Sequence, residues 1–247
     1  MTAPRHLVLA GGGPPPVIPH FPSAGKCVTN TNSLFCWSWV AKNWGALLQP
    51  KLLQHIELTV IAAAIGLVIA LVAAVFAYHR GWFERGFLGF SSLLYTIPSL
   101  AFFELFAPVT GLGVVTIEIG LTGYTLLVLF RNTLTGLRSV APEVLLSARG
   151  MGMSDRQILF RVSFPIAVPS IMAGIRVATV TTISLATVAA YISPLGLGQL
   201  ILDGIYNTFK TELIAAGGLA ILLALAADGL LVLTQRLVAP WARAKAG

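Results

Sequence analysis

The sequence predicts an all-α membrane protein with about five transmembrane helices. Of its 247 residues, 56% are hydrophobic and only 10% are charged, whereas about a quarter of an average soluble domain is charged. The stretch Leu58–Tyr78 contains no charged residue at all, and it is long enough to cross a bilayer, which takes roughly 20 residues. This composition supplies too little charge for a solvated surface but suits a surface that faces lipid.

The predicted spans are long apolar runs within one transmembrane domain, residues 51–241. They are Leu58–Tyr78, Phe87–Phe106, Val114–Phe130, Ile166–Tyr191 and Leu213–Gln235. Pro98 in the second span removes a backbone hydrogen bond and predicts a kink, which either serves as a gate or only shapes the helix. A tail of residues 1–50 precedes the domain, and residues 242–247 follow it.

The distribution of Lys and Arg predicts an extracytoplasmic N-terminus and a cytoplasmic C-terminus. In that orientation the cytoplasmic side has Arg80, Arg85, Arg131, Arg138, Arg149, Arg156, Arg161, Arg236, Arg243 and Lys245, and the outside has Arg5, Lys26, Lys42, Lys51 and Lys210. Cytoplasmic loops carry the excess of positive charge. The net charge of +7 therefore indicates topology, and it does not form the basic stripe of a nucleic-acid-binding protein.

The N-terminal tail contains two features with open interpretations. Met1–Ala24 is rich in Pro and Gly, which predicts poor order. The segment Trp37–Trp44 fits an interfacial helix and equally a short lid packed on the bundle. Cys27 and Cys36 would both lie in the oxidising space and are predicted to form a disulfide, with two free thiols as the alternative. Without nearby His they predict no metal site.

A polar stretch between the third and fourth spans predicts a helix–Gly–helix segment. Pro142 suits the first turn of a helix, and Gly150 and Gly152 break it. Ser154 is then a candidate N-cap with Gln157 completing a capping box. A proline ends the segment, which would lie across the cytoplasmic face.

This segment resembles the "EAA" loop of ABC importer permeases, in which Glu-Ala-Ala is followed by three residues, Gly, nine residues and Ile-x-Leu-Pro. The match runs through Ser147, Ala148, Gly152, Val162, Phe164 and Pro165. Leu146 stands where the family has Glu, and Glu143, one helical turn earlier, is the nearest carboxylate. The resemblance implies that the loop, with Gly150 in its turn, docks as a coupling helix into an ATPase subunit. The alternative is a linker with no partner.

Further motifs resemble permeases of the glycine betaine/carnitine/choline (osmoprotectant) subfamily. They are Leu94–Leu100, Arg131–Thr133, Ala148–Met153, Met172–Arg176 and Gly196–Leu200. The resemblance implies a permease of the bacterial inner membrane that imports a quaternary ammonium solute. It also implies three partners: an ATPase subunit, an identical or related second permease, and an extracytoplasmic binding protein that docks over the loop at Gly196 and Gly198. The apolar run Pro194–Ile201 around these glycines suggests a turn dipping into the headgroup layer.

Other function classes fit less well. The sequence contains no Gly-x4-Gly-Lys-Ser/Thr pattern, so ATP and Mg²⁺ are expected on the partner ATPase and no cofactor on this chain. No pattern of catalytic residues indicates an enzyme. An ABC importer for an amino acid or another betaine-like compound remains an alternative. A secondary transporter would be expected to show inverted repeats, and none is visible.

Charged residues within the spans are candidate functional residues, because intramembrane charges usually face the bundle or a pathway. Arg176 and Asp228 lie at similar depths in consecutive antiparallel spans, which predicts an ion pair; the alternative is that each lines a wet cavity separately. Glu118 either faces the translocation path or belongs to a structural pair.

Overall fold

The computed structural model describes residues 34–241, in which helices account for all regular secondary structure. The all-α prediction is confirmed. In chain order the helices are α1 (Trp37–Asn43), α2 (Gln49–Ala77), α3 (Gly81–Thr96), α4 (Ser99–Thr110), α5 (Val114–Arg138), α6 (Pro142–Gly150), α7 (Asp155–Ile158), α8 (Phe164–Ala189), α9 (Gly196–Tyr206) and α10 (Lys210–Val238). Two π-helical turns, Trp44–Leu48 and Leu159–Ser163, join α1 to α2 and α7 to α8 without a break.

Four stretches of continuous helix in the described chain are long and apolar enough to cross a membrane. They are Trp37–Ala77, Val114–Arg138, Asp155–Ala189 and Lys210–Val238. Each contains most of one predicted span. The second predicted span corresponds to α3 and α4, which are bent by 101° and count as a fifth span only if taken together.

The chain bends at Pro98, as predicted, but it does so by a full break of the helix. It ends at Thr96 and restarts at Ser99, and Ile97 has an extended backbone with φ −66° and ψ 131°. A proline disfavours the α conformation of the residue before it. The carbonyl of Ile97 accepts a hydrogen bond from the Tyr124 hydroxyl of α5. The backbone carbonyl at the break therefore has a hydrogen-bond partner on another helix.

Helix α5 is the most buried helix, and α2, α3, α4 and α8 all pack against it. Close approach is possible because small residues lie at the contacts. A Cβ added to Gly66 of α2 would overlap the Thr125 side chain, and one added to Gly174 of α8 would lie 2.7 Å from the Asn132 Cβ. Near the C-terminus of α5, Gly136 meets Ser170 in the same way.

The segment Trp37–Trp44 packs on the bundle, which agrees with its interpretation as a short lid. Trp39 is buried and meets the Phe209 ring edge-on, with 5.0 Å between centroids. The backbone N–H of Cys36 donates to Thr211 Oγ1 at 3.0 Å. Trp37 stays exposed. This segment continues through the π turn into α2, so that helix is continuous from Trp37 to Ala77.

The apolar run Pro194–Ile201 is not a turn throughout. The turn ends at Leu195, and Gly196 begins α9, which packs against α2, α8 and α10. Residues of α2 hold this junction: Gln54 Oε1 accepts from the Gly196 N–H at 2.9 Å, and His55 Nδ1 accepts from the Leu197 N–H at 3.3 Å. Because Nδ1 accepts, His55 donates through Nε2 to the Ile183 carbonyl at 3.1 Å.

Gly198 provides a test of the α8–α9 contact. A Cβ there would lie 2.3 Å from the Thr187 carbonyl oxygen, which is backbone and cannot move away, whereas a Cβ at Gly217 of α10 would meet nothing within 4 Å. Overpacking costs typically about 1–3 kcal/mol. We expect Gly198→Ala to lower the melting temperature of the detergent-purified protein, and the matched control Gly217→Ala to leave it unchanged or higher. Equal melting temperatures would contradict the packing.

Cysteine alkylation tests the predicted disulfide. Cys36 is disulfide-bonded, and its predicted partner Cys27, like Met1–Ala24, lies outside the described residues. We expect that alkylation of the denatured protein without reductant modifies neither cysteine, and that reduction first makes both reactive. Mass spectrometry that found two alkylated cysteines without reductant would contradict the pairing.

Candidate functional site

The loop between α5 and α8 has the helix–Gly–helix form that the sequence predicted. Helix α6 begins at Pro142, and Gly152 follows it with φ +79°, the left-handed conformation that favours glycine. Ser154 caps α7: its Oγ accepts from the Gln157 N–H at 3.4 Å, and Gln157 Oε1 accepts from the Ser154 N–H at 2.8 Å. After the role that its sequence resemblance implies, we call residues 139–163 the coupling loop, and the end of the bundle that carries it the loop end.

Helix α6 has one side on the bundle and a largely exposed remainder. Ala148 is buried, whereas Glu143, Ser147 and Gly150 are exposed and Leu146 is 65% exposed. Val144 and Met151 add further exposed apolar surface to the loop. Exposed apolar side chains that a polar loop keeps in contact with solvent are candidates for a protein-binding surface. Of the predicted coupling residues, Glu143, Leu146, Ser147 and Gly150 therefore lie where a partner can reach them.

The prediction that Pro165 closes this segment is wrong. Helix continues from Asp155 through the π turn Leu159–Ser163 to Ala189. In that turn the Phe164 N–H bonds to the Leu159 carbonyl, five residues back, and Pro165, which has no N–H to donate, follows directly. The wider turn lets the proline enter without ending the helix. As a result, the second half of the coupling loop is the beginning of the α8 span.

Two polar contacts that sequence reasoning missed fasten the coupling loop to its neighbours. Arg138, the last residue of α5, donates two hydrogen bonds to Glu84 of α3, from Nη1 to Oε1 at 2.9 Å and from Nη2 to Oε2 at 2.8 Å. Where the loop joins α8, Ser163 Oγ lies 3.4 Å from the Tyr78 hydroxyl. The sequence indicated only a topological role for Arg138, because its partner is 54 residues away.

Arg176 and Asp228 are brought together between α8 and α10. Arg176 Nε donates to Asp228 Oδ1 at 2.8 Å, and Nη2 donates to Oδ2 at 3.0 Å. The side chains are 34% and 37% exposed to an open groove of about 500 Å³, lined by Ala173, Arg176, Val177, Val180, Thr181, Ala224, Leu225 and Asp228. Charges in a bilayer core face protein or water. This groove is therefore unsuited to contact with lipid.

Glu118 is not part of this pair. Both of its carboxylate oxygens are buried and have no hydrogen-bond partner within residues 34–241, so a structural pair for Glu118 does not form within the described chain. Pro98 lies at the break between α3 and α4. Within the same residues, no group of three or more His, Cys, Asp or Glu side chains is placed to hold a metal ion.

Comparison with known proteins assigns the family. A family model described as "Binding-protein-dependent transport system inner membrane component" matches residues 66–243. The chain belongs to this family. It is therefore a multi-pass permease component of the inner membrane, and the family resemblance carried by the motifs is confirmed.

Individual relatives agree with this assignment. The chain is 34% identical over 204 residues to the glycine betaine/carnitine/choline transport system permease protein OpuCB of Bacillus subtilis, covering 82% of this chain and 93% of OpuCB. It is 40% identical over 157 residues to the ergothioneine transport permease/ergothioneine binding protein EgtU of Helicobacter pylori, covering 64% of this chain but 28% of that longer protein.

Among solved structures, an inward-facing MetNI methionine ABC transporter chain matches with a TM-score of 0.72. The match has 18% sequence identity and covers 79% of this chain and 97% of that chain. At that identity it shows a shared fold and nothing about the substrate. The coupling loop, α8 and α10 all lie within the region that matches the family model.

A double-mutant cycle tests whether Arg176 and Asp228 interact. We expect Arg176→Ala and Asp228→Ala each to lower the melting temperature of the purified permease, because each leaves an uncompensated charge within the membrane. The double variant should be little worse than either single variant. Strictly additive losses would show that the two side chains act independently.

Proposed function

We propose that this chain is the permease subunit of an ATP-driven importer for a quaternary ammonium compatible solute of the glycine betaine, choline or carnitine type. The observation that carries the proposal is the exposed coupling loop, with its left-handed Gly152 and capped α7, in a chain of this family. Sequence similarity to OpuCB supports the solute class. A permease for another betaine-like compound or an amino acid is the second candidate, and the similarity to EgtU favours it.

The proposed machine places ATP hydrolysis on a separate subunit. The sequence contains no Walker A pattern, and α6 offers an exposed apolar surface on which an ATPase subunit could dock. A second permease, identical or related, would complete the path, and an extracytoplasmic binding protein would deliver the solute. The loop end would face the cytoplasm, because Arg80, Arg85, Arg131 and Arg138 cluster there, as the positive-inside rule requires.

The continuity of α7, the π turn and α8 gives the coupling loop a direct mechanical connection to the membrane. Movement of α7 would be transmitted along one helix to Arg176, about three turns beyond Phe164. The groove at Arg176 and Asp228 would then form part of the path wall. Arg176 compensates the negative charge of Asp228. A cationic solute passing this wall would therefore not be bound tightly by an unpaired carboxylate. Tight recognition would belong to the binding protein.

Gly152 tests the coupling role. At φ +79° a residue with a Cβ is strained by about 1–2 kcal/mol, so Gly152→Leu should distort the turn between α6 and α7. In proteoliposomes with the partner ATPase and binding protein, we expect the variant to insert normally and to lose solute-stimulated ATP hydrolysis and uptake. The control Gly217→Ala has ordinary helical backbone in α10, outside the coupling loop, and open space around the new Cβ, and should retain both. Unchanged hydrolysis and uptake in Gly152→Leu would refute the assignment.

Uptake assays test the solute class. We expect labelled glycine betaine, choline or carnitine to accumulate only when ATP, the ATPase and the binding protein are all present. Ergothioneine competition separates the two candidates, because an importer for simple onium solutes should be little affected by it. If no quaternary ammonium compound is transported but an amino acid is, the second candidate replaces the first.

A further inference from the structure

Helix α3 is only partly buried against the bundle. Along its 16 residues only Ser91 is fully buried, and Phe83, Phe87 and Leu88 pack only partly against the core. Polar contacts mark both ends. Glu84, in the first turn, binds Arg138 of α5, and the carbonyl of Ile97, directly after the last turn, binds the hydroxyl of Tyr124 of α5.

The two contacts connect matching lengths of antiparallel helix. The chain from Glu84 to Ile97 and the chain from Tyr124 to Arg138 each span roughly 20 Å at 1.5 Å per residue. Two helices joined at both ends of equal segments cannot slide along each other without breaking a contact. Helices α3 and α5 are therefore tied into a single unit.

The Glu84–Arg138 pair fixes an orientation more than it supplies stability. Its side chains are 22% and 42% exposed, and exposed ion pairs contribute little free energy. However, the planar guanidinium makes two parallel hydrogen bonds to both carboxylate oxygens, and this fork geometry defines the relative direction of the two helices. Leu88 and Leu134 lie beside the pair in the same groove of about 260 Å³.

The tied unit lies between the coupling loop and the break. Arg138 immediately precedes the coupling loop, which starts at Ser139, and beyond Ile97 the chain turns by 101° into α4. Helix α4 packs against α5 through Phe102 and Phe103, which are fully buried. Any displacement of the loop at Arg138 is thus applied to α3 as well as to α5.

We propose that the Glu84–Arg138 ion pair is a positioning element for transport, which makes α3 and α5 one rigid lever between the coupling loop and the break at Ile97–Pro98. Without the pair, the loop moves α5 while the start of α3 lags behind, and the break receives only part of the movement. This inference rests on the proposed function, because it assigns a direction of force to the same coupling loop.

Charge reversal tests the lever. Glu84→Arg, Arg138→Glu and the double variant E84R/R138E are reconstituted with the partner ATPase and binding protein, together with the milder Glu84→Gln. The ratio of solute imported to ATP hydrolysed is measured, along with the amount of ATPase that copurifies with the permease. Arg85→Glu serves as the matched control, because it makes a similar charge change one residue away and Arg85 bonds only within its own helix among the described contacts.

We expect Glu84→Arg, Arg138→Glu and Glu84→Gln to bind the ATPase and hydrolyse ATP, but with the import ratio reduced severalfold. The double variant should recover most of the wild-type import ratio, and Arg85→Glu should have the wild-type ratio. An unchanged ratio in the single variants, or a double variant no better than either single variant, would overturn the lever. Failure of the proposed function is a different result: the wild-type complex itself would import no quaternary ammonium solute.

Discussion

The close approach of α5 to its neighbours is the constraint on which the rest of the bundle depends. Between helices in lipid the hydrophobic effect contributes little, so packing and interhelical hydrogen bonds must hold them together. Gly66, Gly136 and Gly174 allow α2 and α8 to meet α5 at distances that a Cβ would forbid. Hydrogen bonds from Tyr124 and Arg138 of α5 to Ile97 and Glu84 add to this packing.

This arrangement gives α5 its connection to function, because the coupling loop begins where the most buried helix ends. On the other side of the loop, the chain passes through the π turn into α8 with no interruption. The loop is therefore continuous with two helices of the core, and movement imposed on it would act on the core directly. The intramembrane pair at Arg176 and Asp228 lies further along α8, on the groove side.

Local features of the coupling loop were predictable from sequence because they depend on neighbouring residues. The cap at Ser154 and the turn at Gly152 belong to this kind. The outcome at the two prolines could not be predicted in full because it depended on wider context. At Pro98 the chain reorients where Tyr124 of another helix can bind the freed carbonyl, and at Pro165 a π turn absorbs the proline. The Glu84–Arg138 pair could not be predicted because nothing in a single sequence links residues so far apart.

By contrast, the pairing of Arg176 with Asp228 was predicted from their similar depth in the membrane, since consecutive antiparallel spans restrict which charges can meet.

Crosslinking from the coupling loop can test whether this loop transmits movement of an ATPase subunit to the bundle. Leu146→Cys places a thiol on the exposed face of α6, and Val109→Cys places one at the opposite end of the bundle, where the side chain is 86% exposed. A short bifunctional maleimide is applied to the complex with its ATPase, with and without nucleotide. We expect Leu146→Cys to crosslink to the ATPase with a yield that changes with nucleotide, and Val109→Cys not to crosslink to it. Crosslinking of the ATPase through Val109→Cys but not through Leu146→Cys would refute the coupling role of the loop.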